Sequence, residues 1–445
     1  MLTCFYGKLN KKEVKKMYKL IFLMLLAPLV VFAQDEVKSI SVLFDSLKVN
    51  PHIRGDELKM ERALAGKRVA TGELFPKIDA FGSYNYSNTP TGMIPVAPND
   101  LIKMVQDQTV PQPFSENIFR AGGIVSMPLF VKSVYTMASR AKKMYQSAEA
   151  KKNIELLKNE AVIVSSNANL QFIEALNKAL TKKKESLLKT KEFVQIKVNN
   201  GRLPESALLK INTGINEVDI LRNDIAQNKA MVISAVYSLT NVNLNKPLEM
   251  TQTGTYANGE LKVLEPLQKK SDAMKLGARA EKEKLYPALV LQGMYTYNYA
   301  KSYNLPDKGL NEDYATLGIT LKIPIFEKSQ YSKIKLSKIE FEESENELAK
   351  MRLEFTAQAQ QLEKSLTLLS NSTELYEKSV KDKEELLKIA KVAYQSDRMS
   401  TEDYLKYEDN LLMEHSKLYQ AEAKRWQTLM KLAVIYGNNI EDMVK

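Results

Sequence analysis

The sequence predicts a mainly α-helical chain with a membrane β-barrel contribution, built from two internal repeats. Three observations predict it. Only 17 Gly and 15 Pro occur in 445 residues, which favours long uninterrupted helices over a loop-rich fold. Three pairs of segments recur in the same order along the chain. Four short segments alternate in hydrophobicity, and two of them are rich in Tyr.

The N-terminus carries Lys8, Lys11, Lys12, Lys15, Lys16 and Lys19, then an apolar run from Leu20 to Val31, then Ala33 before Gln34. A basic region, a short apolar core and a small residue at the cut describe a secretory signal peptide over 1–33, with Met1 or Met17 as the start. The apolar run is too short for a spanning helix, which needs about 20 residues. Cutting after Ala33 removes six Lys and one Glu, so the formal charge falls from +11 to +6. No concentrated basic face remains, so no nucleic acid is expected as a partner. The only Cys, Cys4, leaves with the signal. With His52 and His415 alone besides, the chain has no means to build a Cys/His zinc site, a Cys–His nucleophile or a disulfide framework. No enzyme activity and no cofactor are expected.

The first repeat is read over 34–240 and the second over 265–445, with a polar equatorial linker at 241–264. Leu74-Phe75-Pro76 matches Leu285-Tyr286-Pro287, and at an offset of 211 Gly82, Tyr84 and Tyr86 meet Gly293, Tyr295 and Tyr297. Pro128 matches Pro324, and Arg202 matches Arg398, both at an offset of 196. Strands are expected at 77–87, 117–127, 288–300 and 313–323. They are joined by loops at 88–116 and 301–312. Aromatic-rich alternation over about 10 residues is the pattern of a membrane β-barrel strand, or of an ordinary half-buried strand.

The stretches 131–198 and 327–395 contain neither Pro nor Gly. Ile154, Leu157, Ala161, Val164 and Ala168 recur at coiled-coil spacing, and Leu208, Ile211, Ile215 and Val218 resume the seam after a break at Asn199-Asn200-Gly201. A helix of this length spans roughly 100 Å. The shorter segments 205–240 and 265–284, end to end, nearly match one long helix. Segments 37–73 and 401–436 are expected to do the same.

Four strands are too few to close a membrane barrel, and lipid tolerates no open sheet edge. Three chains would give a 12-strand barrel, continued by a long antiparallel α-helical barrel. In that order and spacing the chain resembles the TolC-like outer-membrane efflux proteins over nearly the whole mature length. The resemblance implies a homotrimer in the outer-membrane lipid with a periplasmic helical part. It also implies an exit duct of a tripartite pump, whose other partners are a periplasmic adaptor (membrane fusion protein) and an inner-membrane pump. Docking tips then fall at Gly201, Arg202, Leu203 and Pro204, and at Asp397, Arg398, Met399 and Ser400. The second tip lacks the family's Gly, and Pro204 stands where a hydroxyl residue is usual. Asp403 falls at the family's aperture carboxylate, with Glu402 beside it and Lys406 where a second carboxylate is usual. Asp403 either forms a threefold ring selecting cations or is a solvated first-turn carboxylate, and Glu402, Glu408 and Asp409 lie close enough in sequence to take the ring's place instead. Tyr84, Tyr86, Tyr295, Tyr297 and Tyr299 are candidates for an interfacial girdle. His52 and His415 read as solvated or capped, and Trp426 as packed at the helical equator. The rival readings are an outer-membrane duct for one-step protein secretion, a secreted structural coiled coil and a periplasmic enzyme.

Overall fold

The computed structural model describes residues Ser39–Lys445. The expected signal peptide lies outside them. The described chain starts with α1 (Ile40–Lys48) and α2 (Pro51–Gly72), followed by β1 (Lys77–Gly92) and α3 (Pro98–Gln106). Then come β2 (Phe114–Phe130), α4 (Lys132–Asn199), α5 (Glu205–Thr240) and α6 (Glu265–Glu283). It closes with β3 (Ala288–Lys301), β4 (Gly309–Lys322), α7 (Lys328–Gln395) and α8 (Thr401–Tyr436). Among the described residues no helix is long and apolar enough to cross a membrane.

Both long helices have 68 residues and both return helices have 36. Each boundary of the second hairpin sits 196 positions after its counterpart in the first. Local chemistry sets these ends. Asn50 caps α2 by accepting from the His52 amide at 2.9 Å, with Pro51 in the first turn, where its missing N–H leaves no bond unmade. The return helices stop where the chain turns left-handed, at Asn241 (φ 54°) and Gly437 (φ 71°).

The helices lie side by side in a layer. Toward the tips, α5 packs on α4, α4 on α8, and α8 on α7. Toward the sheet, α2 packs on α4, α4 on α6, and α6 on α7. The end-to-end partners therefore differ from the sequence expectation. α5 stacks with α2, joined by the Asn50 amide donating to the Ser238 carbonyl at 3.3 Å. α8 stacks with α6. The reason is the path of the linker. Residues 241–261 cross the layer at the equator, where Asn167 of α4 holds the Leu248 backbone by two hydrogen bonds, at 2.8 and 2.9 Å. Gln252 pairs with Val444 of the C-terminal tail. The chain so resumes above α8 and not above α5.

The core follows the seam. Ile154, Val263, Leu264, Ala359, Leu362, Leu432 and Ile435 form the equatorial cluster, with Leu157 packed against it. Leu180, Leu187, Val194, Ile211 and Val218 form the cluster nearer the tips, with Leu208 and Ile215 alongside. Each Leu, Ile or Val among them contributes about 1.5–3 kcal/mol by leaving water. Trp426 is buried on α8, and the neighbouring Arg425 bonds Gln252 of the linker. His415 is not a solvated residue: it is half-buried, stacked on Tyr419, with Glu384 at 3.6 Å.

The four strands form one antiparallel sheet in the order β1-β2-β3-β4. All four begin or end beyond the alternating segments, and the segment 88–116 is not a plain loop. β1 runs on to Gly92, and α3 forms where Pro98 opens a turn followed by Asp100. β2 continues past Pro128 to Phe130, with a register shift between them, because Pro has no N–H for the ladder. β4 stops at Lys322, before Pro324.

Candidate functional site

Two regions carry the chemistry that could make a duct: the sheet and the hairpin tips. Paired residues on neighbouring strands share a face, so the register sorts the sheet row by row. On one face, Ile78, Val125, Gly293 and Leu317 form a row. Farther from the helices on the same face, Tyr84, Phe119, Tyr299 and Asn311 form another. Tyr84 and Phe119 have ring centroids 4.7 Å apart, and Phe119 and Tyr299 6.4 Å. The opposite face carries the row Ser83, Arg120, Asn298 and Glu312. The apolar face is the uncovered one: Leu317 is 79% exposed and Ile319 63%.

From Leu289 to Tyr299 the chain rises roughly 33 Å along the strand. At a tilt of about 40° that gives a band close to 25 Å high, the height of a barrel's apolar belt. All five candidate tyrosines lie exposed on this face, toward its far end. At the near end an exposed aromatic ends β2 or stands just outside β1, β3 and β4: Phe130, Phe75, Tyr286 and Phe326. In the sequence Phe130 and Phe326 end matched segments, but the aromatic band that they share with Phe75 and Tyr286 was not read from it. Their signal was available in their shared distance from Pro128 and Pro324. Gly122 is required where β2 and β3 close up, since a Cβ there would fall 2.1 Å from the Tyr295 carbonyl oxygen.

The two tips have one backbone. Gly201 (φ 69°) and Asp397 (φ 56°) both turn left-handed. The Arg202 amide donates to the Lys197 carbonyl at 2.8 Å, and the Arg398 amide to the Ala393 carbonyl at 2.9 Å. This closes the last turn of α4 and α7 in the same way. Pro204 and Ser400 then enter α5 and α8 with near-equal angles, φ −74° and −70°, ψ 152° in both. Arg202 and Arg398 are exposed. Leu203 and Met399 are half-buried, Leu203 against the Val194 and Ile211 cluster and Met399 against Tyr394 and Tyr404.

The candidate aperture residues sit in the first turns of α8. Ser400 caps the helix by accepting from the Asp403 amide at 3.0 Å, and its hydroxyl donates to the Asp403 carboxylate at 2.7 Å. That hydroxyl, with Lys406 at 3.5 Å, holds the Asp403 carboxyl below its ordinary pKa. Glu402 is also lowered, first by Lys210 at 2.9 Å and then by Lys406 at 3.7 Å. Lys210 and Lys406 occupy equivalent positions in the two repeats, so Glu402 ties the two hairpins together. Lys197 makes a second tie by bonding Asp397 while standing 4.4 Å from the centre of the Phe193 ring.

Sequence reasoning offered Glu408 and Asp409 only as alternative aperture carboxylates and missed the packed layer just inside the tips. Tyr394 and Tyr404 stack with ring centroids 4.8 Å apart, and Phe193 meets Tyr394 edge-on. Glu408 is buried and accepts from the Ser186 and Tyr404 hydroxyls. Burial pushes its carboxyl pKa up, against the pull of those two hydrogen bonds. A signal existed, since Tyr404 and Glu408 are one helical turn apart. Asp409, on the exposed side, bonds Lys183. An open groove of about 1160 Å³ lies between α4 and α7 over α8, lined by Lys182, Lys388, Lys391 and Glu384 among others. Among the described residues no group of three or more His, Cys, Asp or Glu could hold a metal ion.

Comparison with known proteins agrees with this layout. Residues 264–438 match the model of the outer membrane efflux protein family. No curated protein matches the chain. Among solved structures, the Campylobacter jejuni CmeC outer membrane channel is 17% identical, with a TM-score of 0.73 over 89% of this chain and 85% of that one. The Vibrio cholerae outer membrane protein VceC is 15% identical, with a TM-score of 0.73 over 89% and 96%. The open state of the Neisseria gonorrhoeae MtrE outer membrane channel is 14% identical, with a TM-score of 0.70 over 89% and 88%. At these identities the likeness establishes the fold. The resemblance read from the sequence therefore holds: residues 264–438 are similar to the outer membrane efflux protein family, and the chain has the fold of TolC-like channels along almost all of its described length.

Proposed function

We propose that this chain is the outer-membrane exit duct of a tripartite efflux pump, working as a homotrimer with a periplasmic adaptor and an inner-membrane pump. One observation carries the reading: the molecule is edged on both levels by unpartnered surfaces that another copy would cover. β1 and β4 are the sheet's outer strands and each has one unpaired side. α5 and α7 are the layer's outer helices toward the tips. Each keeps apolar side chains uncovered, Leu209, Ile220 and Met231 on α5, and Leu368, Leu375 and Leu386 on α7. Pairing β4 with β1, and α7 with α5, around a threefold axis covers both at once. Three copies supply 12 strands, which closes the edges that lipid would not tolerate.

In this reading the apolar band lies in outer-membrane lipid between its two aromatic bands, and the helices extend through the periplasm. The tips dock the adaptor through Arg202 and Arg398, with Gly201, Pro204, Asp397 and Ser400 shaping the turns and Leu203 and Met399 anchoring them. Asp403, Glu402 and Lys406 ring the inner mouth. Because Lys406 touches both carboxylates, the ring is less acidic than a pure carboxylate ring. Planar-bilayer recording tests the reading. Wild type should conduct and be blocked by multivalent cations, and Asp403→Ala should weaken that block. Charge reversal at Arg202 and Arg398 should weaken adaptor crosslinking and leave assembly intact. A protein that never conducts, or adaptor crosslinking that ignores both arginines, would count against it.

A further inference from the structure

The end of the sheet far from the helices is not open. Residues 93–113, between β1 and β2, fold back as a strap that contains α3. Its position is fixed by what it covers. Met93 is buried against Ile118, Ala300 and Leu310, which form one row across β2, β3 and β4. That row lies on the polar face, opposite Tyr84, Phe119 and Tyr299. Arg120, one row nearer the helices on the same face, donates to the Gly92 carbonyl at 3.4 Å and to Asn85 at 3.3 Å. A hollow of about 400 Å³ under α3 is lined by Asp100, Lys103 and Met104 of the strap and by Leu310 and Glu312 of β4. The strap thus lies across the polar face and leaves the apolar face free.

It is also fastened. The Met93 amide donates to the Pro113 carbonyl at 2.9 Å. Asn304, in the β3–β4 turn, accepts from the Gln112 amide at 2.9 Å and donates to the Val110 carbonyl at 3.0 Å. Ser302, 1% exposed, donates to the Gln112 carbonyl at 2.9 Å. On the side of α3 away from this attachment, Ile102 is 56% exposed and Val105 48%.

We propose that three such straps form an apolar constriction at the outer mouth of the duct and set the size of solute that leaves it. The inference rests on the duct reading, in which the polar face lines the lumen. Its physical basis is space. A barrel of 12 strands lies between one of about 8, which its own side chains fill, and one of 16 to 18, which leaves an aqueous channel. A helix with side chains is about 10–12 Å across. Three of them inside such a mouth leave a narrow passage, and Ile102 and Val105 make its lining poorly wetted, which resists water and ions more than its width alone. This outer constriction stands in series with the tips, at the opposite end of the duct.

The test uses cysteine accessibility, because Cys4 is the only native Cys and lies in the expected signal peptide. Thr316→Cys places a thiol on the polar face of β4, nearer the helices than the strap. Intact cells are treated from outside with a small charged maleimide and with a bulky polyethylene-glycol maleimide. The small reagent should label Thr316→Cys and the bulky one should not. Replacing residues 94–112 by a short Gly-Ser linker should raise bulky labelling roughly tenfold or more, as expected when a constriction is removed. Asn304→Ala, which unfastens the strap and leaves the strands intact, should raise it as well. Comparable labelling by both reagents with the native strap in place would overturn the constriction and leave the duct standing. No labelling by either reagent in any of these backgrounds would mean that Thr316 faces no water-filled lumen, and the duct reading would fall with it.

Discussion

The two hairpin tips reach one backbone by two different chemistries. All four left-handed residues in the described chain form two repeat pairs, Gly201 with Asp397 and Asn241 with Gly437. Each pair sets one Gly against one Asn or Asp, and the order reverses between tip and equator. The position demands the left-handed turn; the residue only has to tolerate it, and Asn and Asp do so better than other side chains. The second tip has a side-chain cap that the first lacks, and an ion pair that it shares with the first. Asp397 is held by Lys197, and Ser400 caps α8 where Pro204 offers α5 no side-chain acceptor. The first tip is stiffened by Pro204 and supplies Lys197 to the ion pair that the two tips share. A change of salt should therefore reach both tips together through that pair.

Removing the left-handed licence should give the largest separation. Gly201→Val forces a β-branched residue into that turn at about 1–2 kcal/mol or more. Amide exchange at Arg202 should quicken by roughly tenfold, the equivalent of about 1.4 kcal/mol. Asp397→Gly relieves the backbone but gives up the tie to Lys197, so exchange at Arg398 should move much less. Equal responses at both tips would break the comparison.

Loss of the cap comes next. Ser400→Ala should weaken the first turn of α8 by about 1 kcal/mol. It should also let the Asp403 carboxyl rise back toward its ordinary pKa, since the Ser400 hydroxyl is the main cause of its depression. Pro204→Ala has no cap to lose and should leave the start of α5 exchanging within a factor of a few of wild type.

The smallest expected effect is a pH dependence confined to the second hairpin. Glu408 has a raised carboxyl pKa because it is buried, whereas the equivalent position in the first hairpin is Asn212. The folded state therefore holds its proton to higher pH than the unfolded chain does. Stability from this group is fully present below the ordinary Glu pKa and declines as pH rises through the raised one. Amide exchange in α8 around Tyr404 should quicken with pH beyond the intrinsic exchange trend, and α5 should not follow. Glu408→Gln should abolish that excess. An excess that survives the substitution would place the titrating group elsewhere.

The helical part was legible because repeats and the absence of Pro and Gly survive without tertiary context. The long helices begin and end within a residue of the expected stretches, and Arg202 and Arg398 fall at their turns. The sheet was legible in kind but not in extent, because alternation fades toward Gly92 and Lys301, where the residues buried against the strap include small and polar ones such as Ala300 and Ser302. Three things could not be read. Which short helices stack end to end depends on how Asn167 holds the linker, a contact between residues 81 apart. α3 is a single short amphipathic helix in a Pro-rich segment whose composition reads as loop. The left-handed turn at Asp397 hides because the residue gives no warning that Gly would.

The shared barrel is the claim on which the rest depends, and the mass of the detergent-solubilised protein tests it most directly. Light scattering with the detergent contribution subtracted should give three copies, and chemical crosslinking should stop at the trimer. A folded, monodisperse monomer, or a crosslinking ladder with no preferred size, would contradict it. The free edges of β1 and β4 would then need another partner.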